Sequence, residues 1–133
     1  MRLITKAALL IAAVTMGGRW TLAADTTTDS LAVVKEKVDT RKAVLVDVRE
    51  RSEWDAGHVD GAILLPLSEL QSGLDTDQLG KRLPKDKVLY THCVVGKRSL
   101  AAANILERQG YKVRSLKPGY KELVAAGFKK ANP

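Results

Sequence analysis

The chain has 133 residues, 45% of them hydrophobic, with 22 Lys and Arg against 15 Asp and Glu, a formal charge of +7, two histidines and one cysteine. A single thiol rules out an intramolecular disulfide, and too few thiols and imidazoles are present for a structural zinc centre, so no metal is expected. The cations are scattered and aromatics do not interleave with them, which argues against nucleic acid and leaves a small anion, met by one local patch, as the expected partner.

Residues 1–24 read as an address. Arg2 and Lys6 give a basic start, Ala7 to Met16 an apolar run, and Thr21-Leu22-Ala23-Ala24 small residues for cleavage. The apolar run is short for a bilayer span, so no stable membrane span is expected after cleavage, and the periplasm is the expected compartment. Arg2, Lys6 and Arg19 supply three of the seven net charges and every acidic residue follows Ala24, so the remainder carries about +4. Asp25 to Asp29 is expected to be a flexible polar tether, followed by one domain over residues 30–133.

Ser30 is suited to cap a helix whose apolar positions Leu31, Val34 and Val38 repeat at helical spacing, predicted to run to Lys42. Ala43 to Val48 is apolar at nearly every position, the pattern of a strand covered on both faces. Arg49 to Gly57 is charged, with a short helical turn predicted around Ser52-Glu53-Trp54. Ala62 to Leu65 is a second strand stopped by Pro66, and Ser68 begins a short helix. Gly73 to Asp86 is a long connection anchored by Leu74, Leu79 and Leu83. Lys87-Val88-Leu89-Tyr90 returns to strand.

The segment Cys93-Val94-Val95-Gly96-Lys97-Arg98 follows, then a helix predicted from Ser99 to Gln109 and ended by Gly110. Tyr111 to Leu116 gives the last strand, Pro118-Gly119 turns the chain, and Tyr120 to Ala126 is a closing helix. Short buried strands alternating with helices define an α/β domain with a mostly parallel sheet of four to five strands.

Cys93 falls between a strand end and a helix start, where a parallel sheet places its ligands. Unpaired N–H groups at the helix start favour a thiolate and an anion beside it, provided the sulfur lies open to the loop. Gly96 supplies the freedom a tight loop requires. Lys97 and Arg98 stand at the helix end least favourable to cations, which suggests an anion to be met, and Arg98 is able to hold two oxygens at once. His92 adjoins the thiol in sequence, but neighbouring side chains along a strand point to opposite sides.

These residues carry a resemblance. Asp47-Val48-Arg49, Glu53 and Gly57-His58-Val59-Asp60-Gly61-Ala62 form one signature. Cys93-Val94-Val95-Gly96-Lys97-Arg98-Ser99, with Ala101-Ala102, Leu106, Gly110-Tyr111 and Val113, forms a second. Both resemble the single-domain rhodaneses, a sulfurtransferase family, over roughly Ser30 to Phe128. The resemblance implies a rhodanese-like fold, with Cys93 as the catalytic residue taking a sulfane sulfur from thiosulfate or a related anionic donor as a persulfide. Cyanide or a thiol would take it away, with no cofactor besides the covalent persulfide. Backbone N–H groups of Val94, Val95, Gly96, Lys97, Arg98 and Ser99 would cradle the outer sulfur, while Lys97 and Arg98 orient the donor.

Asp47, Arg49, Glu53 and His58 are expected to support the site: Asp47 by holding backbone N–H groups, Arg49 by pairing with Glu53, His58 as a hydrogen-bonded part of its turn. Trp54 and Tyr90 are expected in the core or just behind it. Three departures from the family pattern are Asp60 for proline, Pro118-Gly119 for a glycine pair, and Leu123 for tryptophan; these are expected to shape the rim more than the thiol. Two other functions compete. A cysteine phosphatase or arsenate-handling enzyme shares the chemistry, but usually has one more residue between cysteine and arginine. A persulfide carrier serving another exported thiol or redox protein would share the thiol without fast turnover.

Overall fold

The computed structural model describes residues 24–133. The leader reading lies outside them except for Ala24. In chain order the elements are α1 (Leu31–Asp39), β1 (Ala43–Asp47), α2 (Arg51–Ala56), β2 (Ile63–Leu64), α3 (Leu67–Gln71), α4 (Thr76–Gly80), β3 (Val88–His92), α5 (Lys97–Arg108), β4 (Val113–Ser115) and α6 (Tyr120–Ala125). The strands form one four-stranded, all-parallel sheet in the order β2-β1-β3-β4. Among the described residues no helix is long and apolar enough to cross a membrane.

Strand residues alternate between two apolar layers. Val46 and Leu89 join Leu70, Leu79, Ala102 and Leu106 on one face, where α3, α4 and α5 pack. Leu45 and Tyr90 join Val34, Leu116, Leu123 and Phe128 on the other, under α1 and α6. This two-sided cover is why the strands read as continuous apolar runs. From β1 the chain goes to its β2 side, then crosses to lay β3 on the other side with Asp47 opposite His92. That reversal makes the carboxyl ends of β1 and β3 the switch point of the sheet, and Cys93 follows β3 there.

Two helix boundaries differ from expectation. Ser30 caps α1, its Oγ accepting the Val33 N–H at 3.2 Å, but the helix stops at Asp39 and not Lys42. Arg41 adopts φ +60° and the N–H groups of Arg41 and Lys42 return to the carbonyls of Val38 and Lys37 at 3.0 and 2.9 Å. A left-handed residue closes the helix, and arginine in the place usual for glycine hid that stop. At the other helix, α5 begins at Lys97, two residues before the predicted start, because Gly96 at φ +95° turns the chain directly into it.

Residues 25–29, the expected polar tether, bond to the sheet edge. Thr26 forms a parallel bridge with Ser115 beyond the β4 edge, and the Thr27 N–H donates to the Ser115 carbonyl at 2.8 Å. The Asp29 carboxylate accepts from Tyr90 Oη at 2.6 Å and from Arg114 at 2.5 Å. Unpaired edge groups on β4 give a polar segment somewhere to bond, which composition alone does not reveal.

Candidate active site

Cys93 sits on the floor of the loop between β3 and α5. Its Sγ accepts the backbone N–H groups of Gly96 at 3.3 Å and Ser99 at 3.4 Å, groups at the start of α5 with no carbonyl partner inside the helix. Burial raises the thiol pKa, but the N–H groups of Ser99 and Gly96, with lesser help from the Ser99 hydroxyl and the Val94 N–H, outweigh it and hold the group below its ordinary value. The residue is only 1% exposed and packs with Ala102 and Leu106. The expected openness of the thiol is therefore corrected: sulfur meets amides on one side and the sheet's apolar layer on the other.

The loop is braced from behind. Ser99 Oγ contacts the Gly96 and Leu116 carbonyls at 2.9 and 2.8 Å and accepts from Ser115 Oγ at 3.1 Å. Thr91 Oγ1 donates to the Ser99 carbonyl at 2.9 Å. Gly119 lies so close that a Cβ there would stand 2.4 Å from the Val94 carbonyl oxygen and 2.7 Å from that of Cys93, while the Tyr120 N–H donates to the Cys93 carbonyl at 3.3 Å. Gly119 thus supports the thiol loop directly, where Pro118-Gly119 is expected to shape the rim more than the thiol. Nothing local in the sequence marks Thr91 and Ser115 as site residues; Gly119 shows itself only as a glycine heading a helix without a capping side chain.

The charged residues pair differently from the expected scheme. Arg49 does not reach Glu53. Its Nε and Nη2 bind the buried Asp47 carboxylate at 3.0 and 2.8 Å, Nη2 also donates to the Gly57 carbonyl at 2.8 Å, and its guanidinium lies 4.8 Å from the Tyr120 ring centroid. Asp47 also accepts the Arg49 N–H at 3.0 Å. The two residues share one strand end, so the shorter link wins and leaves Glu53 to another partner. That partner is Arg98, whose Nη1 and Nη2 bind the Glu53 carboxylate at 2.7 and 2.9 Å. The fork expected to face a donor is turned to the protein.

The Arg98 bonds, with a further bond from the Glu50 N–H at 2.9 Å, hold the Glu53 carboxyl down to about 2. Lys97 is exposed at the same helix start and has no ion-pair partner among the described residues. The side chains of Val94 and Val95, exposed 49% and 68%, complete the outer surface of the loop.

His58 hydrogen-bonds through Nδ1 to the Trp54 carbonyl at 2.9 Å and stacks on the Trp54 ring with centroids 3.6 Å apart. His92 points into the interior, fully buried, with neither ring nitrogen hydrogen-bonded and Nε2 3.9 Å from Asp47. Among the described residues no cluster of His, Cys, Asp and Glu is arranged to hold a metal.

A parallel sheet with a thiol among helix-start amides at its switch point defines an α/β domain with a single cysteine at its ligand-binding end. More narrowly, the chain belongs to the rhodanese-like domain family, whose model matches residues 30–126. It is 34% identical over 92 residues to the human thiosulfate:glutathione sulfurtransferase, covering 63% of this chain and 80% of that protein. Over 71 residues it is 41% identical to a probable adenylyltransferase/sulfurtransferase, MoeZ, of Mycobacterium tuberculosis, covering 53% of this chain and 17% of the relative. It is 32% identical over 95 residues to a putative sulfur carrier protein, YrkF, of Bacillus subtilis, covering 70% of this chain and 48% of the relative. The chain thus spans well under two thirds of the length of these last two. Among solved structures, the human single-domain sulfurtransferase TSTD1 aligns with TM-score 0.64 at 30% identity, over 76% of this chain and 97% of that one.

Proposed function

We propose that the protein moves a sulfane sulfur from thiosulfate or a related anionic donor, through a persulfide on Cys93, to cyanide or a thiol. The observation that carries this reading is the pair of N–H groups, from Gly96 and Ser99, aimed at the Cys93 sulfur. They stabilise the thiolate, the nucleophilic form of cysteine. The thiolate attacks the outer sulfur of thiosulfate, one S–S bond forms on Cys93, the donor's S–S bond breaks, and sulfite leaves with its electron pair. The acceptor then attacks the terminal persulfide sulfur and the Cys93 thiolate returns. Relatives named as sulfurtransferases support the same class of reaction.

The phosphatase reading is disfavoured by the four residues between Cys93 and Arg98 and by the engagement of that arginine with Glu53. The likeness to a putative sulfur carrier favours a second reading, in which a loaded Cys93 hands sulfur to an exported thiol or redox protein. Export itself is proposed from the basic, apolar and small-residue order of residues 1–24.

Intact mass after incubation with thiosulfate tests the proposal. A reducible gain of one sulfur, about 32 Da, is expected on the wild type and absent from Cys93→Ser. No gain on the wild type would reject sulfur loading from thiosulfate, and loading without turnover in the presence of cyanide or a small thiol would select the carrier.

A further inference from the structure

We infer that Glu53 sets the donor class, by occupying the Arg98 fork and leaving a loop surface suited to sulfane donors with one negative charge and an apolar body. This inference rests on the sulfur-transfer reading and specifies the substrate of the same site.

Three observations converge. The Glu53 carboxylate takes both terminal nitrogens of Arg98, at 2.7 and 2.9 Å, in the two-pronged geometry that could otherwise hold two oxygens of the thiosulfate dianion. A guanidinium so held is charge-neutralised as a pair and has one terminal N–H of each Nη already committed to Glu53. Lys97 remains as a cation without an ion-pair partner among the described residues, matching one negative charge. Val94 and Val95, next to Cys93 in the loop, are large apolar residues exposed to 49% and 68%. Apolar side chains there reward a donor with a hydrocarbon part and offer nothing to the strongly hydrated oxygens of thiosulfate.

The chemistry is unchanged by the choice of donor. With an aryl thiosulfonate, the Cys93 thiolate attacks the terminal sulfur, the persulfide S–S bond forms, the donor's S–S bond breaks, and a sulfinate leaves with the electron pair. What differs is the charge and surface presented to the loop.

The test measures kcat/KM for thiosulfate and for benzenethiosulfonate, with cyanide as acceptor, in the wild type, Glu53→Gln, Glu53→Gln/Arg98→Gln and Val95→Ser. Releasing Arg98 in Glu53→Gln should raise the thiosulfate-to-thiosulfonate ratio by about fivefold, chiefly through a lower KM for thiosulfate. The double variant should lose that gain, because no freed fork remains. Val95→Ser should lower thiosulfonate use about threefold more than thiosulfate use. A Glu53→Gln ratio within about twofold of the wild type, or a gain that persists in the double variant, overturns the role of Glu53. Equal effects of Val95→Ser on both donors overturn the apolar contribution. Should Glu53→Gln fail to fold, Glu53→Asp, with a shorter arm, must shift the ratio the same way or the inference falls. Failure of the parent reading is separate: neither donor would then load Cys93 in the wild type.

Discussion

Two buried residues, Cys93 and His92, adjoin in sequence and titrate in opposite service. Cys93 keeps its proton weakly because N–H groups from Ser99 and Gly96 offset the cost of burial. The rate of its alkylation by a small electrophile should therefore rise with pH around a midpoint below the ordinary thiol value, and move upward in Ser99→Ala, which loses the hydroxyl and loosens the loop. A midpoint unchanged in that variant would assign thiolate stabilisation to backbone alone. His92 is held neutral down to about 4, chiefly by burial, although the nearby Asp47 opposes this. Its folded pKa lies below the unfolded value, so as pH falls below 6.5 the unfolded chain gains the proton first. The contribution of His92 to stability should decline between pH 6.5 and 4 by up to roughly 3 kcal/mol, and only that contribution levels off below the range. Urea unfolding across that window should show the decline in the wild type and a flatter profile in His92→Gln.

Elements meet at the site through the α2–α5 clamp and the segment before α6. Gly119→Ala would drive a methyl group into the carbonyls of Val94 and Cys93, and the backbone there has no flexible end to yield. Persulfide loading should fall by more than about tenfold while the far-UV spectrum stays native; undiminished loading would show that the loop tolerates displacement. At the exposed end of α1, Arg41 holds φ +60° at a cost glycine does not bear. Arg41→Gly should raise the unfolding free energy by about 0.5–1 kcal/mol, read by chemical denaturation.

Which features the chain revealed in advance follows from how local they are. The strand at Ala43, the Ser30 cap, the parallel sheet and the thiol between strand and helix all announce themselves within a few residues. The partners of Arg49 and Arg98 did not, because guanidinium pairing depends on which carboxylate a distant turn brings nearest. Burial of the sulfur was equally hidden: it is set by α5 packing on the sheet, and nothing in the loop itself records that contact.

At the scale of the whole molecule, residues 25–29 extend the sheet's far edge and tie it to the loop. Thr27 binds Ser115, and Ser115 in turn reaches the Ser99 hydroxyl that braces the thiol loop. Asp29 joins Tyr90 of β3 to Arg114 of β4. Its depressed pKa, from the bonds of Tyr90 and Arg114, means that this support is present above the ordinary carboxyl range and fades as pH falls through the folded value. Asp29→Ala should lower stability by about 1–2 kcal/mol at neutral pH. Hydrogen exchange at Thr27 should quicken in the same variant; unchanged exchange there would show that the segment holds without its acidic anchor.

The fit of Gly119 behind the cysteine also bears on how such domains diverge. With a bare Cα already touching two carbonyls of the loop, an extra residue inserted ahead of the arginine has no slack to occupy on that side. Converting this chain to handle phosphate or arsenate would therefore require rebuilding residues 118–120 together with the insertion. Loop length and the backbone at residues 118–120 are coupled, and neither is free to change alone.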